Sequence, residues 1–242
     1  MVLTRHLYRR LMRRARVIWL VVLASVPGLI FAIAGIDVST DDLSEAFLGI
    51  MLSVGFTYAI AALILTVSTL RDERDAGTLP YIYMRPMPRV SLAISSLLAG
   101  VLAAATIAVG GWITTVLAGL LHGADMSVVM PSAALLLAAA VGYAAVFVPV
   151  GYLFSRSVLV GLGYLVLLEL ALSGLVSGLA QLSIWRIAAS IYVDLVDTTG
   201  IPVEEVLGAV APGVGGGLVK LGVVLVLGLG VLTWALRRRD AL

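Results

Sequence analysis

Apolar residues run along this chain in blocks of about twenty, roughly the number a helix needs to cross a hydrocarbon core of about 30 Å. Six such blocks occur, near 17–36, 46–70, 91–121, 130–155, 157–185 and 217–236. The pattern predicts an all-α membrane protein with six transmembrane helices. The first block, VIWLVVLASVPGLIFAIAGI, carries no charge. Its Pro27 predicts a kink, tolerated where a neighbouring helix satisfies the carbonyl that the missing N–H releases. The third runs uncharged from Val90 to Leu121, longer than a bilayer requires, and so predicts a tilted or projecting helix. Ahead of the first block the pattern turns amphipathic. In LTRHLYRRLMRRAR, Leu3, Leu7, Tyr8, Leu11, Met12 and Ala15 recur at helical spacing, while Arg5, Arg9, Arg13 and Arg16 gather opposite. This predicts an amphipathic interfacial helix over 1–16, running along the membrane before the first span. Arg10 and Arg14 fall at the edge of its apolar face. A basic flank that only fixes topology is the other reading of that segment.

The arginines give the spans a direction. Residues 5–16 hold six, 71–89 hold four, position 156 holds one and 237–239 hold three, so fourteen of the sixteen Lys and Arg residues fall on one side of a six-span chain. By the positive-inside rule that side is cytoplasmic, with both termini in the cytoplasm of a multi-pass protein of the cell membrane. The opposite loops carry Asp37, Asp41, Asp42, Glu45, Asp125, Asp194, Asp197, Glu204 and Glu205, with Arg186 and Lys220 near their edges. Composition agrees: 61% hydrophobic residues, 12% charged residues and a mean hydropathy of +1.12 leave too little polar surface for a soluble globule of this length. The polar pieces are too short to fold as a catalytic domain. The chain has no cysteine, which excludes disulfides, thiolate metal sites and cysteine nucleophiles. His6 and His122 have no third ligand near them in sequence, so no metal site is expected. The arginine run lacks interleaved aromatics and is fused to a span, which argues against a nucleic-acid partner.

One internal stretch stands apart from the lipid-like remainder. RDERDAGTLPYIYMRPMPR, residues 71–89, holds four arginines, three acids and three prolines. Thr78 suits an N-cap, Pro80 fits a first helical turn, and Pro86 and Pro88 stop the helix after about two turns. The short helix presents Tyr81, Ile82, Tyr83 and Met84, a composition found at protein interfaces and equally at home among lipid headgroups. Both readings stand on the residues alone.

Residues 73–86, ERDAGTLPYIYMRP, followed by Arg89, resemble the cytoplasmic segment of permease subunits of ABC-2 type ATP-binding cassette exporters. In that family an acidic-basic run leads into Gly-Thr, a short apolar helix, Arg-Pro and a second arginine. Pro80 departs from the usual helix former, and Ser95-Ser96 replaces a common Gly-Lys pair as span three begins. YLVLLE at 164–169 is also similar to members of the family. The resemblance implies a six-span transmembrane domain over 17–242, with an elbow helix at 1–16 whose Arg5, Leu7, Arg9, Leu11 and Arg13 meet the membrane interface. It implies a coupling helix in 71–89, at which Glu73, Arg74, Gly77, Thr78, Leu79, Tyr81, Ile82, Tyr83, Arg85, Pro86 and Arg89 contact a separate ATPase subunit. ATP and Mg would bind in that subunit; the permease itself would bind no cofactor and carry no catalytic site. Two permeases, identical or similar, would pair in the membrane.

Glu169 is the acid that falls within a span, where an unpaired charge costs about 3 kcal/mol or more. It either lines a translocation path or is a structural acid bonded to a neighbour such as Ser173. Residues 186–216, interrupted by Pro202 and Pro212, predict one or two short helices dipping into the outer leaflet, or an ordinary structured loop. Outside the exporter reading, the alternatives are a half-size secondary transporter and a non-transporting membrane partner protein. Proton-coupled carriers normally place several ionisable residues inside the membrane.

Overall fold

The computed structural model describes residues 2–12, 15–39, 42–75, 77, 88–172, 182–196 and 212–238. Its elements are helical in every case. They are α1 (Val2–Met12), α2 (Arg16–Ala24), α3 (Val26–Ala34), α4 (Leu43–Val54), α5 (Thr57–Asp75), α6 (Arg89–His122), the single turn α7 (Met126–Val129), α8 (Ser132–Leu153), α9 (Ser157–Tyr164) with a π-helical continuation Leu165–Leu172, α10 (Ile184–Asp194) and α11 (Gly213–Arg238). Four stretches are long and apolar enough to cross a membrane: Leu43–Asp75, Arg89–His122, Met126–Leu153 and Gly213–Arg238; a fifth is added if α2 and α3 form one bent span. The expected span at 157–185 is helical from Ser157 to Leu172; residues 173–181 lie outside the described residues, and Ser183 caps a further helix, α10. Four to five spans are thus found among the described residues, and part of the remaining expected span falls on residues outside them.

Pro27 acts where the sequence predicts. The axes of α2 and α3 differ by 46°, with Pro27 in the first turn of α3. A proline at 27 removes the N–H that would reach the Leu23 carbonyl. Thr57 Oγ1 on α5 donates to that carbonyl at 3.4 Å, so a neighbouring helix takes over the lost bond. The bend lies against α6 at a close approach: a Cβ on Gly28 would stand 2.7 Å from the Thr115 backbone nitrogen.

At the centre of the bundle are α5, α6 and α8. The inward stripe of α6 is built from small residues such as Ala93, Gly100, Ala104, Ala108, Gly111 and Ala118, while Leu98, Leu102, Val109, Ile113 and Leu117 point outward. Small residues let helix axes approach where packing, rather than water exclusion, holds membrane helices together. Gly151 of α8 shows how close: a Cβ there would overlap the Val67 carbonyl of α5. α6 ends on Gly123 at φ +71°, with Ala124 N–H bonded back to Gly119 O at 2.9 Å, a left-handed stop that glycine makes without strain. α11 is peripheral, with 17% of its apolar window buried.

α1 departs from its expected setting. Leu7 and Leu11 are 1% and 3% exposed, because α1 lies on α6 and α5 and Tyr8 bonds Thr106 Oγ1 at 3.0 Å. Protein, not lipid, covers this part of the apolar face. The opposite face, with Arg5 and Arg9, is exposed.

Candidate functional site

The charged residues of α1, α2 and α5 meet at one end of the bundle, which we call the basic end. Helical spacing turns Ser68, Asp72 and Glu73 of α5 toward the N-terminal segment. Arg10 forms an ion pair with Glu73, whose side chain is 2% exposed, and also donates to the Asp72 carbonyl at 3.4 Å. Arg16 donates to Ser68 Oγ at 2.5 Å and to Asp72 Oδ2 at 3.3 Å. On the next face of α5, Arg74 donates to the Tyr152 carbonyl of α8 at 2.9 Å. Arg71 reaches Asp75 at 3.3 Å and Ser157 Oγ at 3.5 Å. α5 is thereby clasped to α1, α2, α8 and the start of α9 just before the chain enters residues 76–88.

These contacts sort the residues predicted for a partner. Glu73 and Arg74 are engaged within the chain. Gly77 has φ +65° and open space around its Cβ position, so a side chain there would be strained by backbone conformation rather than by crowding. Arg89 begins α6. Thr78, Leu79, Tyr81, Ile82, Tyr83, Arg85 and Pro86 of the expected coupling helix, and Arg13 of the N-terminal set, lie outside the described residues. Sequence reading overlooked Asp72, Ser68 and the pairing of Arg10 and Arg16. A signal was present in Arg10, placed at the edge of an apolar helical face where a charge needs a partner.

Deep in the bundle, Glu169 is 7% exposed and surrounded by donors. Tyr143 and Tyr164 donate hydroxyl protons to Oε1 at 3.3 and 3.4 Å, the Ser183 hydroxyl donates to Oε2, and the Ile184 and Trp185 amides reach Oε1 at 3.0 and 3.4 Å. Both amides belong to the first turn of α10, whose N–H groups lack intrahelical acceptors. The acid fastens the start of α10 to the π-helical stretch. Ser173, suggested as its partner, lies outside the described residues; Ser183 fills that role.

α10 is itself held on several sides. Trp185 Nε1 donates to Leu52 O on α4 at 2.9 Å, and Tyr192 donates to Val128 O on α7 at 2.9 Å. At its far end Asp194 Oδ2 accepts from Val214 N–H at 2.7 Å, at the start of α11. Eight of its eleven residues are buried, from Ile184 and Trp185 through Ile187–Tyr192. The expected outer segment thus begins as a helix wedged into the protein core; residues 197–211 lie outside the described residues.

A family model for ABC-2 family transporter proteins matches residues 12–169, covering α2 to α8, α9 and Glu169. Comparison with curated proteins gives no match.

Proposed function

This chain belongs to the ABC-2 family of transporter proteins, and on that premise we propose that it is the permease subunit of an ATP-driven exporter, coupled to a separate ATPase through residues 71–89. The basic end faces the cytoplasm. The observation that carries the reading is the clasp on α5. Arg10–Glu73, Arg16–Asp72 and Arg74–Tyr152 tie α1, α2, α5 and α8 together where the coupling segment emerges, so a push on that segment is delivered to a braced group of helices. A free loop would absorb it. ATP and Mg act in the ATPase subunit, and two permeases, identical or similar, enclose the path.

At the opposite end, α10 is wedged beneath the acidic loops and fastened by Glu169 and Asp194, a position suited to closing the exit of a cavity. The bonding of Glu169 supports a structural role in holding that closure rather than direct contact with cargo.

The test uses the segment itself. Ile82→Asp should repel an apolar contact on the ATPase, and Gly77→Val should misplace the segment, because valine is strained at positive φ. At matched permease levels, each should lower the ATPase that co-purifies and abolish cargo-stimulated hydrolysis; interface anchors of this kind contribute about 2 kcal/mol or more. Retention of both properties by Ile82→Asp would make 71–89 a topogenic loop resting on lipid.

A further inference from the structure

Between α8, the α9 stretch and α11 runs an apolar groove of about 360 Å³, within the usual size of a small-ligand pocket, about 300–1,000 Å³. Pro149, Val150 and Leu153 form one wall, Leu227 and Val231 the other, and Tyr164 the upper end. Its floor is a tight crossing, where a Cβ on Gly228 would overlap the Ala145 carbonyl. The groove is open along its side: Leu227 and Val231 are 62% and 43% exposed. Because α8 and α11 lie in stretches apolar over membrane-spanning lengths, what reaches that opening is the bilayer.

Charge decides the lower end. On α11, Leu227, Val231, Trp234 and Arg238 fall at i, i+4, i+7 and i+11, close to one helical face. The stripe passes from aliphatic to aromatic to cationic, the order of hydrocarbon, interface and headgroup. Trp234 is 51% exposed, and the Arg238 guanidinium lies 4.8 Å from its ring centroid. Three residues beyond Leu153 on the opposite wall stands Arg156, also exposed. From Val224, which also lines the groove, to Arg238 the helix rises about 20 Å, comparable to one leaflet with its headgroups. Arg237 projects from a different face of α11.

We propose that the groove binds an acyl chain of an anionic phospholipid from the leaflet at the basic end, with the phosphate-bearing headgroup held between Arg156 and Arg238. The walls choose a hydrocarbon chain and the two arginines choose negative charge, by the attraction that basic residues exert on anionic lipid. Such a lipid joins α11, the least buried span, to α8 and the α9 stretch. The proposal goes beyond the transport reading and needs no ATPase, so its failure would leave that reading standing.

The experiment reconstitutes the chain in nanodiscs of phosphatidylglycerol and phosphatidylcholine and measures co-retained lipid by native mass spectrometry after detergent extraction. The parent should retain phosphatidylglycerol in preference. In Arg156→Gln/Arg238→Gln the preference should fall by about tenfold or more, while Arg237→Gln should match the parent. A second reading uses unaltered protein: brominated phosphatidylglycerol should quench tryptophan emission more than brominated phosphatidylcholine, and Trp234→Phe should remove the difference. Equal retention of both lipids, equal quenching by both, or an Arg237→Gln loss as large as that of the double variant would each overturn the proposal. Retention of a different molecule class in place of the phospholipid would do the same.

Discussion

Glu73 carries the largest change between the sequence reading and the structure. An acid in a charge run between two apolar blocks reads as solvated or as offered to a partner, yet this one is 2% exposed and paired with Arg10. Removing one member of a fully buried pair costs about 3–5 kcal/mol, because the other charge is left without compensation. Arg10 is 32% exposed and can turn to water, so for Arg10→Ala and for Glu73→Ala we expect about 1–3 kcal/mol each. The double variant should lose less than the sum. Denaturation in detergent, arranged as a double-mutant cycle, reads the coupling directly; simple additivity would show that the pair does not hold α1 in place. The contact was only half legible, since both residues were visible as charges, but their meeting depends on the packing of α1 against α5, which no local pattern sets.

Among the elements, α10 departs furthest from what its composition suggests. Mild hydrophobicity and two prolines predict that 186–216 dips into the outer leaflet as short helices or forms a structured loop, whereas the helix from Ile184 to Asp194 is packed in the core, with Trp185 and Tyr192 each bonding a backbone carbonyl of another helix. Its N-terminus depends on Glu169. Replacing that acid by Gln keeps one acceptor oxygen but sets an amide N–H₂ against the Ser183 hydroxyl and the helix amides. Glu169→Gln should cost about 1–3 kcal/mol while the chain still folds, and Glu169→Leu should cost more, since several donors then lose their acceptor. Thermal unfolding of the purified permease gives the order. A Leu variant as stable as the parent would mean that α10 is held by its apolar packing alone. By contrast, the kink at Pro27 was legible in advance, because a missing N–H is a property of the residue itself; that Thr57 would supply the replacement donor was not.

The whole molecule separates a basic end from an acidic one, and this polarity makes the orientation testable. Cysteines placed at Asp42 and Asp125 should react with an impermeant thiol reagent in intact cells, whereas one at Asp75 should react only after permeabilisation. Labelling of position 75 in intact cells would reverse the proposed orientation or break the span count. The sequence by itself determined that the chain is a helical membrane protein and that the basic residues share one end. It also carried the family, through the motif at 73–86. Those properties follow from local chemistry: apolar length, helical period and charge are read residue by residue, and lipid imposes helices on any backbone that crosses it. Tertiary structure alone decided that α1 spends its apolar residues Leu7 and Leu11 on α5 and α6, that Ser183 begins a helix where a span was expected to continue, and that Glu169 faces the amides of α10. Each of these depends on which distant helix supplies the partner. A buried polar group takes the acceptor or donor that packing brings within reach, and sequence spacing does not state which that is.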